Sequence, residues 1–114
     1  MQMATILVTN STQGQWQILA VEGELDLSTS PRLRDALTEL LDASVHVAID
    51  LRAVSFMDST ALGVVVAAMK RAREHGGELA LIGPTGSPRK VLSITALDQI
   101  MRIVEDPAEL AESG

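Results

Sequence analysis

The sequence predicts an α/β domain on a mixed, mostly parallel sheet with helices mainly on one face. Three observations carry this. Strand and helix patterns alternate after an opening pair of strands, which implies right-handed crossovers and parallel pairing. Two apolar stripes recur at helical spacing, Leu33, Ala36, Leu37, Leu40 and Leu41, then Leu62, Val65, Val66 and Met69, so two helices each have a face to bury. A length of 114 residues suits one core, and the chain reads as a single domain over 1–114 with its core at about 4–106.

Ala4 to Thr9 is rich in β-branched residues and reads as the first strand. Asn10 to Gly14 has turn chemistry, and Gln15 to Val21 alternates polar with apolar as the second strand of an antiparallel hairpin. Glu22 to Ser30 reads as a polar loop. Ser30-Pro31 opens the first helix, because serine caps exposed amides and proline tolerates the first helical position. Val45 to Leu51 is short and apolar enough for a central strand. The second helix is expected near Asp58 and ends at His75-Gly76-Gly77, where glycine takes the left-handed cap conformation without steric cost. Glu78 to Gly83 is the fourth strand, and Ser87-Pro88 opens a third helix by the device used at Ser30-Pro31. Ile100 to Val104 forms the last strand, followed by a short acidic helix after Pro107.

Composition excludes several function classes. Lys and Arg number 9 against 15 Asp and Glu, a net charge of -6. An acidic surface repels phosphate backbones, so no direct nucleic-acid partner is expected. The chain has no cysteine, which removes disulfides, thiolate nucleophiles and Cys-based metal sites together. One Trp, one Phe and no Tyr leave little for base-stacking platforms. Met1 to Gln15 shows no basic region, apolar stretch and cleavage site in succession. The longest apolar run, Ala61 to Met69, is less than half of the roughly 20 residues a membrane helix needs. A cytoplasmic protein without a membrane partner is expected.

The sequence contains no Gly-x-Ser-x-Gly, no P-loop, no Gly-x-Gly-x-x-Gly and no His-Glu-x-x-His. His46 lies inside a strand pattern and His75 at a helix end, and nothing in their spacing suggests metal ligands. No catalytic, cofactor-binding or metal-binding residue is therefore assigned, and the chain is not read as an enzyme. A small hydrolase using Ser59 would need a base and an oxyanion hole, and the sequence offers neither.

One segment stands apart: Ser55-Phe56-Met57-Asp58-Ser59-Thr60-Ala61-Leu62-Gly63. Three consecutive residues, Asp58, Ser59 and Thr60, are able to cap a helix that needs one cap. Either the helix start is redundant, or a hydroxyl is held exposed at a strand-to-helix turn within reach of a partner's active site. Gly63, which lowers helix propensity by about 1 kcal/mol relative to Ala, makes most sense where something approaches the backbone closely. A second polar motif, Gly23-Glu24-Leu25-Asp26, also sits before a helix. In a largely parallel sheet such loop ends meet on one edge. Glu24, Asp26 and Ser28 are thus expected to flank Ser59. Asp26 is the alternative organiser of its own turn. If it serves the partner, Asp26→Ala should weaken binding and leave the melting temperature nearly unchanged.

Phe56 to Gly63 resembles the signature of STAS domains, specifically the stand-alone bacterial anti-sigma-factor antagonists. Gly23-Glu24-Leu25-Asp26, Gly76-Gly77-Glu78-Leu79 and Thr95-Ala96-Leu97-Asp98 match the same family in order and spacing, so the resemblance spans roughly Ala4 to Asp106. It implies a STAS-like fold and a protein that binds an anti-sigma factor with serine kinase activity, freeing a sigma factor. The kinase would phosphorylate one serine, the antagonist would let go, and a phosphatase would reset it. The family's acceptor serine follows the aspartate and maps onto Ser59, with Thr60 as the neighbouring competitor. The implied partner surface comprises Glu24, Asp26, Ser28, Asp58, Ser59, Thr60 and Gly63. Ala61 departs from the family, where many members carry glycine. The alternative is a STAS accessory subunit of a transport system without phosphorylation control.

Overall fold

The computed structural model describes residues 5–111; Ala4, where the first strand was expected to begin, lies outside them. The elements are β1 (Ile6–Gln13), β2 (Trp16–Leu25), α1 (Ser30–Ala43), β3 (His46–Met57), α2 (Ser59–Glu74), β4 (Glu78–Ile82), α3 (Gly86–Ile94), a 3-10 turn (Leu97–Gln99), β5 (Arg102–Val104) and α4 (Ala108–Ala111). The sheet order is β1-β2-β3-β4-β5. β1 pairs antiparallel with β2, and all other pairs are parallel. This is the expected α/β architecture with a mixed, mostly parallel sheet.

The two stripes do what their spacing dictates. α1 buries Leu33, Leu37, Leu40 and Leu41, and α2 buries Leu62, Val65 and Met69. Both pack on Leu19, Val47, Ile49 and Leu81 of the sheet, and Leu92 of α3 joins the same cluster. Ala36 and Val66 are only partly buried at its margin. Fully burying one such leucine is worth about 1.5–3 kcal/mol, so this face dominates the stability. The opposite face holds a smaller cluster of Trp16, Ile18, Ala48, Ala80, Ile82 and Val104, covered by Leu110 of α4. There Trp16 meets His46 edge-to-face at 5.3 Å, and the Arg102 guanidinium stands 5.6 Å from its ring centre.

The strands outrun the sequence reading in three places. Asn10 to Gln13 is strand, and the turn shrinks to Gly14-Gln15, because Gln13 pairs with Trp16. The expected loop at Glu22 is strand as far as Leu25, since Val21 and Leu25 face the core while Glu22 and Glu24 face water. β3 likewise continues to Met57, with Glu24 beside Phe56 and Leu25 beside Met57. Each long strand supplies the ladder the other needs. Apolar runs end earlier than pairing does, so hydropathy underestimated both.

The two Ser-Pro helix starts also differ from expectation. Thr29, not Ser30, is the N-cap of α1, and it makes no side-chain cap bond. Ser30 Oγ instead donates to the Asp26 carbonyl at 2.6 Å. α3 starts one residue before Ser87, whose Oγ accepts from the Met57 amide at 3.3 Å. That bond ties the α3 N-terminus to the end of β3.

Candidate functional site

β2 and β3 end side by side, and their last residues carry two polar turns to the same edge of the sheet. In the first, Asp26 Oδ1 accepts from the Ser28 amide at 2.9 Å, the Ser28 hydroxyl at 2.7 Å and the Thr29 amide at 3.1 Å. The Ser28 hydroxyl above all, with the two amides and the Thr29 hydroxyl, holds the Asp26 carboxyl below its ordinary pKa of 3.8; desolvation opposes them. Thr29 Oγ1 donates to the Glu24 carbonyl at 2.8 Å, pinning the turn to the strand. Asp26 thus organises its own turn, and Asp26→Ala would remove the acceptor of these bonds.

In the second turn Asp58 is the N-cap of α2. Its Oδ1 accepts from the Ala61 amide at 3.0 Å, the cap bond its residue type favours. Its own amide donates to the Leu25 carbonyl at 3.0 Å. One cap is therefore filled by Asp58, and neither neighbouring hydroxyl is needed for it. Ser59 is the first residue of α2 and is exposed, while Thr60 is half-buried. Glu24 and Ser28 are exposed and Asp26 is half-buried. The structure gathers all six polar residues at one end of the sheet. Gly63 follows one turn on, exposed.

The four sequence motifs divide by what the backbone demands of them. Gly23 has φ +122° beside a register shift in the β2–β3 ladder, and a side chain there would crowd the Thr5 carbonyl at 3.3 Å. At Gly77 a methyl group would fall 1.8 Å from the Val45 carbonyl oxygen. Ala96 holds φ 60°, a left-handed turn that starts the 3-10 segment. Gly23 and Gly77 are thus accounted for by the backbone, whereas the exposed Glu24 and the left-handed Ala96 are not. At Gly63 an added methyl group meets no atom within 4 Å. The fold does not require that glycine, nor a hydroxyl at Ser59.

Two apolar side chains at this end lie outside the polar pattern that the sequence marks. Leu27, inside the Asp26 turn, is 73% exposed, and Phe56, opposite Glu24, is 42% exposed. The available signal was a leucine set between Asp26 and Ser28 in a turn, where no strand or helix face would bury it. Among the described residues no three His, Asp or Glu side chains are grouped to hold a metal ion, and no helix is long and apolar enough to cross a membrane.

Known proteins place this arrangement. The STAS domain family matches residues 8–110. The chain is 32% identical over 99 residues to the anti-sigma-B factor antagonist of Staphylococcus aureus, covering 86% of this chain and 92% of that one. It is 37% identical over 91 residues to the corresponding protein of Listeria monocytogenes, covering 79% and 80%. Among solved structures, a candidate anti-sigma factor antagonist from Thermotoga maritima superposes with a TM-score of 0.86 at 27% identity, over 93% of this chain and 92% of that one. The phosphorylated form of the Bacillus cell fate determinant SpoIIAA shares the fold with a TM-score of 0.73 at 20% identity, over 95% and 100%. By sequence and by architecture, the chain belongs to the STAS domain family.

Proposed function

We propose that the protein is an anti-sigma-factor antagonist that binds an anti-sigma factor with serine kinase activity and is released when Ser59 is phosphorylated. The observation that carries this is the pairing of a filled cap with a spare hydroxyl: Asp58 caps α2, and Ser59 beside it is exposed with no structural duty. The curated relatives at 32% and 37% identity bear the antagonist name, which supports the partner class. Glu24, Asp26, Ser28, Asp58, Ser59, Thr60 and Gly63 form the contact surface, with Leu27 and Phe56 as its apolar anchors. A phosphatase acting on Ser59 resets the switch. The protein acts as a binding partner and performs no chemistry itself.

The switch works by local charge. Phosphoserine carries about -1.5 to -2 charges at neutral pH. At the first position of α2 the free amides and the helix dipole accommodate an anion, so the antagonist need not refold. The cost falls on the complex. A dianion closed in between the two proteins loses its water, and acidic groups on the partner beside it add repulsion. A loss of a few kcal/mol there weakens binding by about two to three powers of ten.

The test is incubation with ATP and a candidate anti-sigma kinase, followed by phosphopeptide mapping and affinity measurement. Phosphate on Ser59 with weakened binding is the expected result. Phosphate on Thr60 alone overturns the acceptor assignment, and phosphate on Ser59 with unchanged affinity overturns the electrostatic mechanism. Partner binding with no phosphorylation favours an accessory role without phosphorylation control.

A further inference from the structure

β1 is an outer edge of the sheet, and nothing in it discourages another strand. Edge strands are usually blunted by a charge, a proline or a bulge. Ile6 to Gln13 has eight residues with no Asp, Glu, Lys, Arg or Pro. Its register with β2 is unbroken from Ile6–Gly23 to Gln13–Trp16, whereas the β2–β3 ladder shifts twice. The two-residue turn makes Gln13 and Trp16 a hydrogen-bonded pair, so Ser11, Thr9 and Leu7 bond inward and the amides and carbonyls of Thr12, Asn10, Val8 and Ile6 point away from β2. Arg32 Nε donating to the Ile6 carbonyl at 3.3 Å agrees with that phase and takes up that one acceptor, so pairing rests on Val8, Asn10 and Thr12. Asn10 and Thr12 are exposed.

A charged flank lies beside this row. Val8 shares a shallow groove with Pro31, Arg32, Asp35, Ala36 and Glu39 of α1. α1 runs opposite to β2, and so runs along β1. Arg32 therefore lies at the β1 start and Glu39 two helical turns further down.

We propose that β1 pairs antiparallel with β1 of a second copy about a twofold axis, joining two sheets into one. The twofold reverses α1 as well, which brings Arg32 of each copy level with Glu39 of the other and sets Asp35 against its own symmetry mate near the axis, one repulsive pair against two attractive ones. A parallel arrangement would set Arg32 against Arg32 and Glu39 against Glu39. The uncharged strand supplies pairing, and the two Arg32–Glu39 attractions, set against the single Asp35 repulsion, select a second copy as its occupant. This inference is independent of the phosphorylation of Ser59.

Sedimentation velocity of the full chain over a wide concentration range tests it. The expected result is a reversible monomer–dimer equilibrium. Arg32→Glu and Glu39→Arg should each weaken it about tenfold, as two exposed pairs turn from attraction to repulsion. An equimolar mixture of the two variants should regain the dimer, because both cross-pairs are then opposite in sign. Asn10→Pro should abolish it, since the lost amide points outward and proline is tolerated on edge strands; circular dichroism verifies that each variant is folded. A wild-type monomer at every concentration, a dimer indifferent to Asn10→Pro, or no recovery on mixing would each overturn the proposal.

Discussion

The Asp58 amide and the Leu25 carbonyl are hydrogen-bonded at 3.0 Å, so the N-cap of α2 is fastened to the last residue of β2. Asp26 follows directly on the end of β2, and Ser59 opens α2. This bond extends the β2–β3 ladder, which pairs Leu25 with Met57, into the two turns that make up the candidate surface.

Removing the cap should loosen that edge. Asp58→Ala is expected to lower stability by about 1 kcal/mol, while Asp58→Asn keeps an acceptor for the Ala61 amide and costs less. Urea denaturation of the two variants against the parent measures the difference. Equal losses would mean that the charge, and not the cap bond, is what Asp58 provides.

At Ser59 the expectation is functional. Ser59→Ala should bind the anti-sigma partner normally yet resist release by ATP. Ser59→Asp should bind more weakly than the parent but more tightly than the phosphoprotein, because it brings one charge and fewer acceptor oxygens. Titration calorimetry ranks the three. Both substitutions should leave the thermal midpoint nearly unchanged, since the hydroxyl at this exposed position carries no cap.

Acid should probe the first turn. The Asp26 carboxyl is held below 3.8 in the folded protein, chiefly by the Ser28 hydroxyl. A depressed folded pKa gives stability that is present above the unfolded pKa and is lost as pH falls through the folded one. The stability gap between the parent and Asp26→Asn should be constant from neutral pH to about 5 and shrink below about 4. Asp50 titrates in the same direction: burial pushes it up, but the hydrogen bonds and charge of Arg52 together outweigh that. Comparison with the Asp26 variant isolates the turn from this second carboxylate. A gap that widened on acidification would contradict the assignment.

Ala96 offers a gain in stability. Its φ of 60° is a left-handed conformation that costs a residue with a β-carbon roughly 1 kcal/mol. Ala96→Gly should raise stability by a few tenths to about 1 kcal/mol, the relief being partly offset by the greater freedom of glycine in the unfolded chain. Thermal melting decides the sign.

Most of the fold was legible because burial writes itself as periodicity. The leucines of α1 and the Leu62 to Met69 stripe announced both large helices and the face they cover. What hydropathy did not mark was where pairing, and not burial, sustains a strand, as at Glu22 to Leu25 and Ser55 to Met57. The cap at Asp58 was readable from residue type, but the choice between Thr29 and Ser30 was not, since both are capping residues and bonds within the turn, to the carbonyls of Glu24 and Asp26, decide between them. The spare character of Ser59 and Gly63 became an observation only when contacts were known. Leu27 and Phe56 escaped because an exposed apolar residue looks in sequence like a buried one.

Trp16 gives this protein a built-in optical reporter. It is the single tryptophan, there is no tyrosine, and it is 2% exposed against His46 and Arg102. Its emission should shift to the red in one step as the sheet unfolds, with no second fluorophore to mask it. It begins β2 whereas Ser59 adjoins the end of that strand, roughly 30 Å away at the rise of a β-strand. Kinase docking and phosphate transfer should therefore be spectrally silent. A change in emission on phosphorylation would signal that a local event had travelled the length of the sheet.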